Sequence, residues 1–135
     1  MRREDWPERL NEYVEASSSA MFDWGRHDCC TFAAGAVYAI TGVDWMPEFR
    51  GRYDSEKTAQ AALKDIGRGS LLKTICAKFG KPVAPAKARR GDLMLANLGD
   101  GPALMVCVGP DAIGPGLGKL IRVPVSDCRF AWSIE

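Results

Sequence analysis

The hydrophobic period of this chain changes once along its length, and that change limits the folds open to it. From residue 3 to residue 79, apolar residues recur at helical spacing. From residue 92 onward they come in short continuous or alternating runs. A first helix is predicted over 3–18, with Trp6, Leu10, Tyr13 and Val14 on one face, acidic residues in its first turns, and an Asp5–Arg9 pair four residues apart. Asp28 is a good N-cap for a second helix, Cys29 to Ile40, whose broad stripe of Phe32, Ala33, Ala36, Val37 and Ile40 suits a central buried position ended by Gly42. Asp54 or Ser55 opens a third helix that Gly67 ends, and Ser70 opens a fourth with Gly80 after it. Residues 81–91 read as a connection. Strands are predicted over Asp92–Ala96, over Ala103–Val108 (apolar on both faces), over Leu120–Val125 with Pro124 marking an edge, and over the alternating Phe130, Trp132 and Ile134. Gly99–Pro102 and Gly114–Gly118 read as turns. Helices first and strands afterwards is the order of an α+β domain, helices packed on an antiparallel sheet. A length of 135 residues suits one such domain, 1–135.

Charge narrows the partners. Lys and Arg total 18 against 17 Asp and Glu, a balance that argues against charge-driven binding to nucleic acid or to an anionic membrane. No apolar run approaches a membrane-spanning length, and the N-terminal stretch lacks the apolar core of a signal peptide. The five cysteines, at 29, 30, 76, 107 and 128, are odd in number and irregular in spacing. Cys29 and Cys30 are adjacent, which suits a relaxed disulfide poorly, so the expectation is a reduced set of thiols in the cytoplasm. No C-x-x-C or other usual zinc spacing occurs, and the glycine-rich 114–118 lacks the context of a phosphate loop. Neither a metal nor a cofactor is expected. The basic stretch 78–90 reads as a solvated connection first, and as a face for an acidic protein partner second.

The segment Trp24-Gly25-Arg26-His27-Asp28-Cys29 carries the chemistry. It puts a thiol in the first turn of a buried helix, where unpaired backbone N–H groups and the helix dipole favour thiolate. An ordinary cysteine titrates near about 8.5, so a helix start can raise its reactive fraction considerably. Cys29 is the candidate nucleophile and Asp28 the helix cap. The competing reading is an inert, packed cysteine.

These residues resemble the nucleophile motif of NlpC-type, papain-like cysteine peptidases: an aromatic residue, then W-G, then D-C opening a helix. Arg90-Gly91-Asp92-Leu93 is similar to the strand opening of that family, and Ala103 to Gly109 to its next strand. The nearest resemblance is to a branch met mainly in phage and prophage tail-gene clusters, through Trp24-Gly25-x-x-Asp28-Cys29, Arg50-Gly51-Arg52-Tyr53 and Arg89-Arg90-Gly91-Asp92. The resemblance implies a papain-like fold, phage or prophage tail proteins or peptidoglycan peptides as partners, and a virion-associated location after synthesis.

The catalytic pattern departs at several positions. The family's histidine begins the strand that here begins with Ala103, and its orienting polar residue would fall near Ile113 or Gly114. The family's tyrosine is here Phe22, and the small pair after its cysteine is Cys30-Thr31. A positioned acid–base group supplies about 10²–10⁴ in rate. Without one, a tetrahedral intermediate expels thiolate rather than an unprotonated amine, so amide hydrolysis suffers most. His27, the single histidine, is a candidate base only if its loop folds the ring back toward sulfur; an exposed or backbone-bonded loop histidine is the favoured reading. Trp24, Arg50, Arg52 and Tyr53 are the candidate cleft residues. The arginines either bind a carboxylate or carbonyl there, or Arg50 braces the loop against the third helix; tryptophans are more often core. The expectation is a catalytically degenerate domain with an assembly role in a tail apparatus. The alternatives are an active hydrolase or acyltransferase on peptidoglycan stem peptides, and a redox module using Cys29 and Cys30.

Overall fold

The computed structural model describes residues 1–99 and 101–135. Among these residues four α-helices precede five strands: α1 (Trp6–Ser17), α2 (Cys29–Thr41), α3 (Glu56–Asp65), α4 (Leu71–Phe79), then β1 (Leu93–Asn97), β2 (Pro102–Cys107), β3 (Asp111–Pro115), β4 (Leu120–Pro124) and β5 (Phe130–Trp132). The fold class is therefore α+β, with an antiparallel sheet in the order β4-β3-β2-β1-β5.

Local chemistry accounts for the helix ends. Asp28, Ser55 and Ser70 each accept from backbone N–H groups of the first turn. Gly42 and Gly80 follow the last turns of α2 and α4, whereas α3 ends one residue before the expected glycine, at Ile66. The Asp5–Arg9 pair forms on the exposed face of α1, at 2.8 Å.

The core lies between α2 and one face of the sheet. Phe32, Ala33, Ala36, Val37 and Ile40 meet Leu93, Leu95, Leu104, Val106, Ile113 and Trp132. Helix α1 lies close on α2 because Gly35 has no side chain: a Cβ there would fall 2.1 Å from the Tyr13 hydroxyl. That hydroxyl donates to the Phe32 carbonyl at 2.9 Å. On the opposite face of the sheet, Met94, Ala96, Met105, Cys107, Ala112 and Ala131 pack with Ile121 and Val123 of β4 and with Ala88, Val125 and Cys128 from outside the strands. Strand β2 is thus buried on both faces, as its apolar run requires.

Two details differ from expectation. Residues 114–115 do not belong to a turn; they end β3, and Gly114 pairs with Ile121 of β4. The connection 81–91 is not wholly irregular, since Val83 exchanges hydrogen bonds with Ala131 and so covers the outer edge of β5. The expected turn at Gly99–Pro102 includes Asp100, which lies outside the described residues. Pro124 does sit on an edge strand, β4. No helix among the described residues is long and apolar enough to cross a membrane.

Candidate functional site around Cys29

Asp28 organises the start of α2. Its buried carboxylate accepts from the N–H groups of Gly25, Cys30 and Thr31 at 2.8–2.9 Å and from the Tyr53 hydroxyl at 2.7 Å. The Thr31 hydroxyl closes the reciprocal half of the capping box by accepting from the Asp28 N–H. Gly25 is obligatory here. Its φ is +87°, and a Cβ would stand 2.4 Å from the Tyr53 carbonyl oxygen. The W-G-x-x-D-C segment and the R-G-R-Y segment are therefore one unit, joined at Asp28 and Tyr53. Burial, together with the negative charge of Asp28, pushes the Tyr53 phenol well up and keeps it a proton donor.

The Cys29 thiol is half-buried in the first turn of α2, with its sulfur 4.0 Å from that of Cys30. Hydrogen bonding from the Cys30 thiol, and behind it from the backbone of Leu104, holds Cys29 below the ordinary thiol range, against burial and the charge of Asp28. Hydrogen bonding to Cys29, and burial, push Cys30 well above it. Of the two thiols, Cys29 is the easier to ionise and Cys30 the one that holds its proton. Leu104 sits in β2 directly after Ala103, so the start of β2 faces the sulfur, but the side chain at 103 is a methyl group.

His27 is half-buried, and its Nε2 is neither exposed nor hydrogen-bonded. Its main chain exchanges hydrogen bonds with Asp23, at 3.0 and 2.8 Å. Its ring stands edge-on to Phe32, centroids 6.1 Å apart, and Nε2 is buried without a partner. Among the described residues no hydrogen bond joins this imidazole to Cys29.

The remaining candidates divide. Tyr53 belongs to the site through Asp28. Arg50 does brace its loop, but against Asp44 rather than α3, through two bonds of 2.8 and 3.1 Å. Arg52 is exposed. Trp24 is half-buried, edge-on to Phe22 at 5.0 Å. The basic stretch is partly tied down, with Lys78 on Glu48 at 2.8 Å and Arg89 on Glu135 at 3.0 Å. No group of three or more His, Cys, Asp or Glu side chains suited to a metal ion occurs among the described residues.

A family model, that of a domain of unknown function called DUF6950, matches residues 1–134. The chain belongs to this family. No curated protein matches it.

In this DUF6950 domain Cys30, which the sequence offered only as half of a redox pair with Cys29, enters the site as the hydrogen-bond partner of that thiol. The Leu104 backbone had no signal at all, since an amide is present at almost every residue and only the packing of α2 on β2 brings this one to the sulfur.

Proposed function

We infer that this chain is a papain-like, NlpC-type domain with degenerate catalysis, serving as a structural or assembly component of a phage or prophage tail apparatus. The observation that carries the degenerate reading is the neighbourhood of the Cys29 sulfur: among the described residues its side-chain hydrogen-bond partner is the Cys30 thiol, and no imidazole is bonded to it. A thiol held above its ordinary range is a poor proton donor to a departing amine, so Cys30 does not replace the missing base. The papain-like assignment is supported by the α+β order, by Cys29 opening the helix packed on the sheet, and by the approach of β2 to the sulfur. The tail assignment rests on the resemblance of the W-G-x-x-D-C, R-G-R-Y and R-R-G-D segments.

The test is incubation with purified peptidoglycan. Wild type and Cys29→Ala are expected to release amines at the same background rate; release by wild type alone overturns the degenerate reading. Co-purification of the tagged chain with tail proteins from an induced prophage lysate tests the assembly role, and its absence there sinks it.

The depressed Cys29 thiol and the unpartnered Nε2 of His27 favour a second reading, an active hydrolase or acyltransferase on stem peptides. In that case His27 moves onto the sulfur when substrate binds, and His27→Ala abolishes amine release.

A further inference from the structure

A cavity of about 690 Å³ lies at the other end of α2, lined by Met1, Arg2, Trp6, Arg89, Arg90 and Glu135. Its size is in the range of ligand pockets. The Arg3 N–H donates to the Ile40 carbonyl at 2.7 Å, which fixes this corner to the C-terminal end of α2. Cys29 begins that helix, so at 1.5 Å per residue the two places are about 16 Å apart along its axis.

The charges of this pocket do not cancel. Arg2 is matched by the buried Asp92 at 2.9 Å, and Arg89 by Glu135 at 3.0 Å. Arg90 meets neutral acceptors only among the described residues, the Asn11 side-chain oxygen and the Pro7 carbonyl. The guanidinium groups of Arg2 and Arg90 both lie against the Trp6 indole, 4.3 and 5.6 Å from its centroid. Two like charges share one aromatic ring, and one of them lacks an anion. The Arg89–Glu135 pair is exposed on both sides, at 65% and 70%, so Arg89 can leave Glu135 for a better partner at little cost.

The geometry points to a carboxylate-binding pocket formed by Arg2, Trp6, Arg89 and Arg90, which takes an acidic side chain from a peptide segment of a partner protein. A guanidinium presents paired donors that match a carboxylate, and the indole supplies a flat apolar wall for the stem of a Glu side chain. A single unmatched cation suits a single monoanionic group. A nucleic-acid strand would require a run of such cations along the surface, and the chain is near charge balance.

The probe is a capped tetraglutamate peptide, followed by NMR at the Trp6 indole N–H, with capped tetraglutamine and a short oligothymidylate as comparisons. Tetraglutamate is expected to move the Trp6 signal saturably and the other indole signals little. Arg89→Gln, an exposed change, weakens binding about fivefold, the worth of one exposed ion pair. Glu135→Gln removes the competing carboxylate and tightens binding by a similar factor. Arg90→Gln loosens its hold on α1, so its loss of binding counts only with an unchanged melting temperature, and the Arg89 and Glu135 variants decide the matter. The proposal is overturned by an absence of saturable shift, by equal binding of tetraglutamine, by tighter binding of the oligothymidylate, or by an affinity indifferent to Arg89→Gln.

Discussion

At Asp28 one buried carboxylate accepts four hydrogen bonds, from three backbone N–H groups and one phenol, and every one of them fixes the approach to Cys29. Its charge nevertheless works against a thiolate next door, so structure and nucleophile compete at this residue. The competition is measurable as the pH dependence of Cys29 alkylation by iodoacetamide. Cys30 donates S–H to the charged form of Cys29, so Cys30→Ala removes that stabilisation and moves the alkylation midpoint to higher pH. Cys30→Ser keeps a donor and shifts it less. Asp28→Asn acts in the other direction: it removes a nearby negative charge, and the midpoint falls. Opposite signs from two neighbours are expected only if both act on the sulfur electrostatically; a common shift would mean that each merely loosens the helix. The Tyr53 hydroxyl has a separate, structural effect. Tyr53→Phe leaves the ring in place and deletes a 2.7 Å bond to a carboxylate, at a cost of about 1.5–3 kcal/mol, read as a lower denaturant midpoint with an unchanged slope.

At the level of elements, the sequence was legible wherever a structure is specified by residues close together. Asp28, Ser55 and Ser70 cap the helices they were expected to cap, because an N-cap is a bond between a side chain and an amide two or three residues on. Strand β3 was not legible. Gly114 and Pro115 are turn formers locally, and they are strand residues here because they pair with Ile121 and Leu120 of β4. The candidate site divides in the same way. The thiol at the helix start is visible in a six-residue motif, whereas the Tyr53–Asp28 bond spans 25 residues and the partner of Arg50 depends on how its loop turns back to Asp44. The contact of α1 with α2 follows from one missing methyl group, which gives a further prediction. Gly35→Ala places a carbon inside the Tyr13 side chain and costs about 1–3 kcal/mol by overpacking, despite the better helix propensity of alanine. Calorimetry showing an unchanged or raised melting temperature would mean that α1 is free to move away from α2.

Over the whole molecule, the ends of the described chain are joined through an ion pair between a half-buried arginine and a buried aspartate. Arg2 donates to the Ile134 and Arg90 carbonyls at 2.7 and 2.6 Å and to Asp92 at 2.9 Å, while Asp92 accepts in addition from the N–H groups of Ile134 and Arg89. The R-R-G-D segment therefore has a structural use: it ties the approach to α1, the start of β1 and the residues after β5 at one point. Burying two charges gains little over an apolar pair of the same shape, but removing one partner strands the other. Arg2→Met leaves the Asp92 carboxylate inside the protein with two backbone donors and no counter-charge, and is expected to cost about 3–5 kcal/mol. Asp92→Asn leaves the guanidinium, which is less buried, with its two carbonyl acceptors, and costs less. The double variant is then expected to be more stable than Arg2→Met alone, a non-additivity of about 1–3 kcal/mol for groups in direct contact. Equilibrium urea unfolding of the four proteins measures it. If the two losses add, the charges of Arg2 and Asp92 are not coupled, and the carbonyl and amide bonds alone hold this corner together.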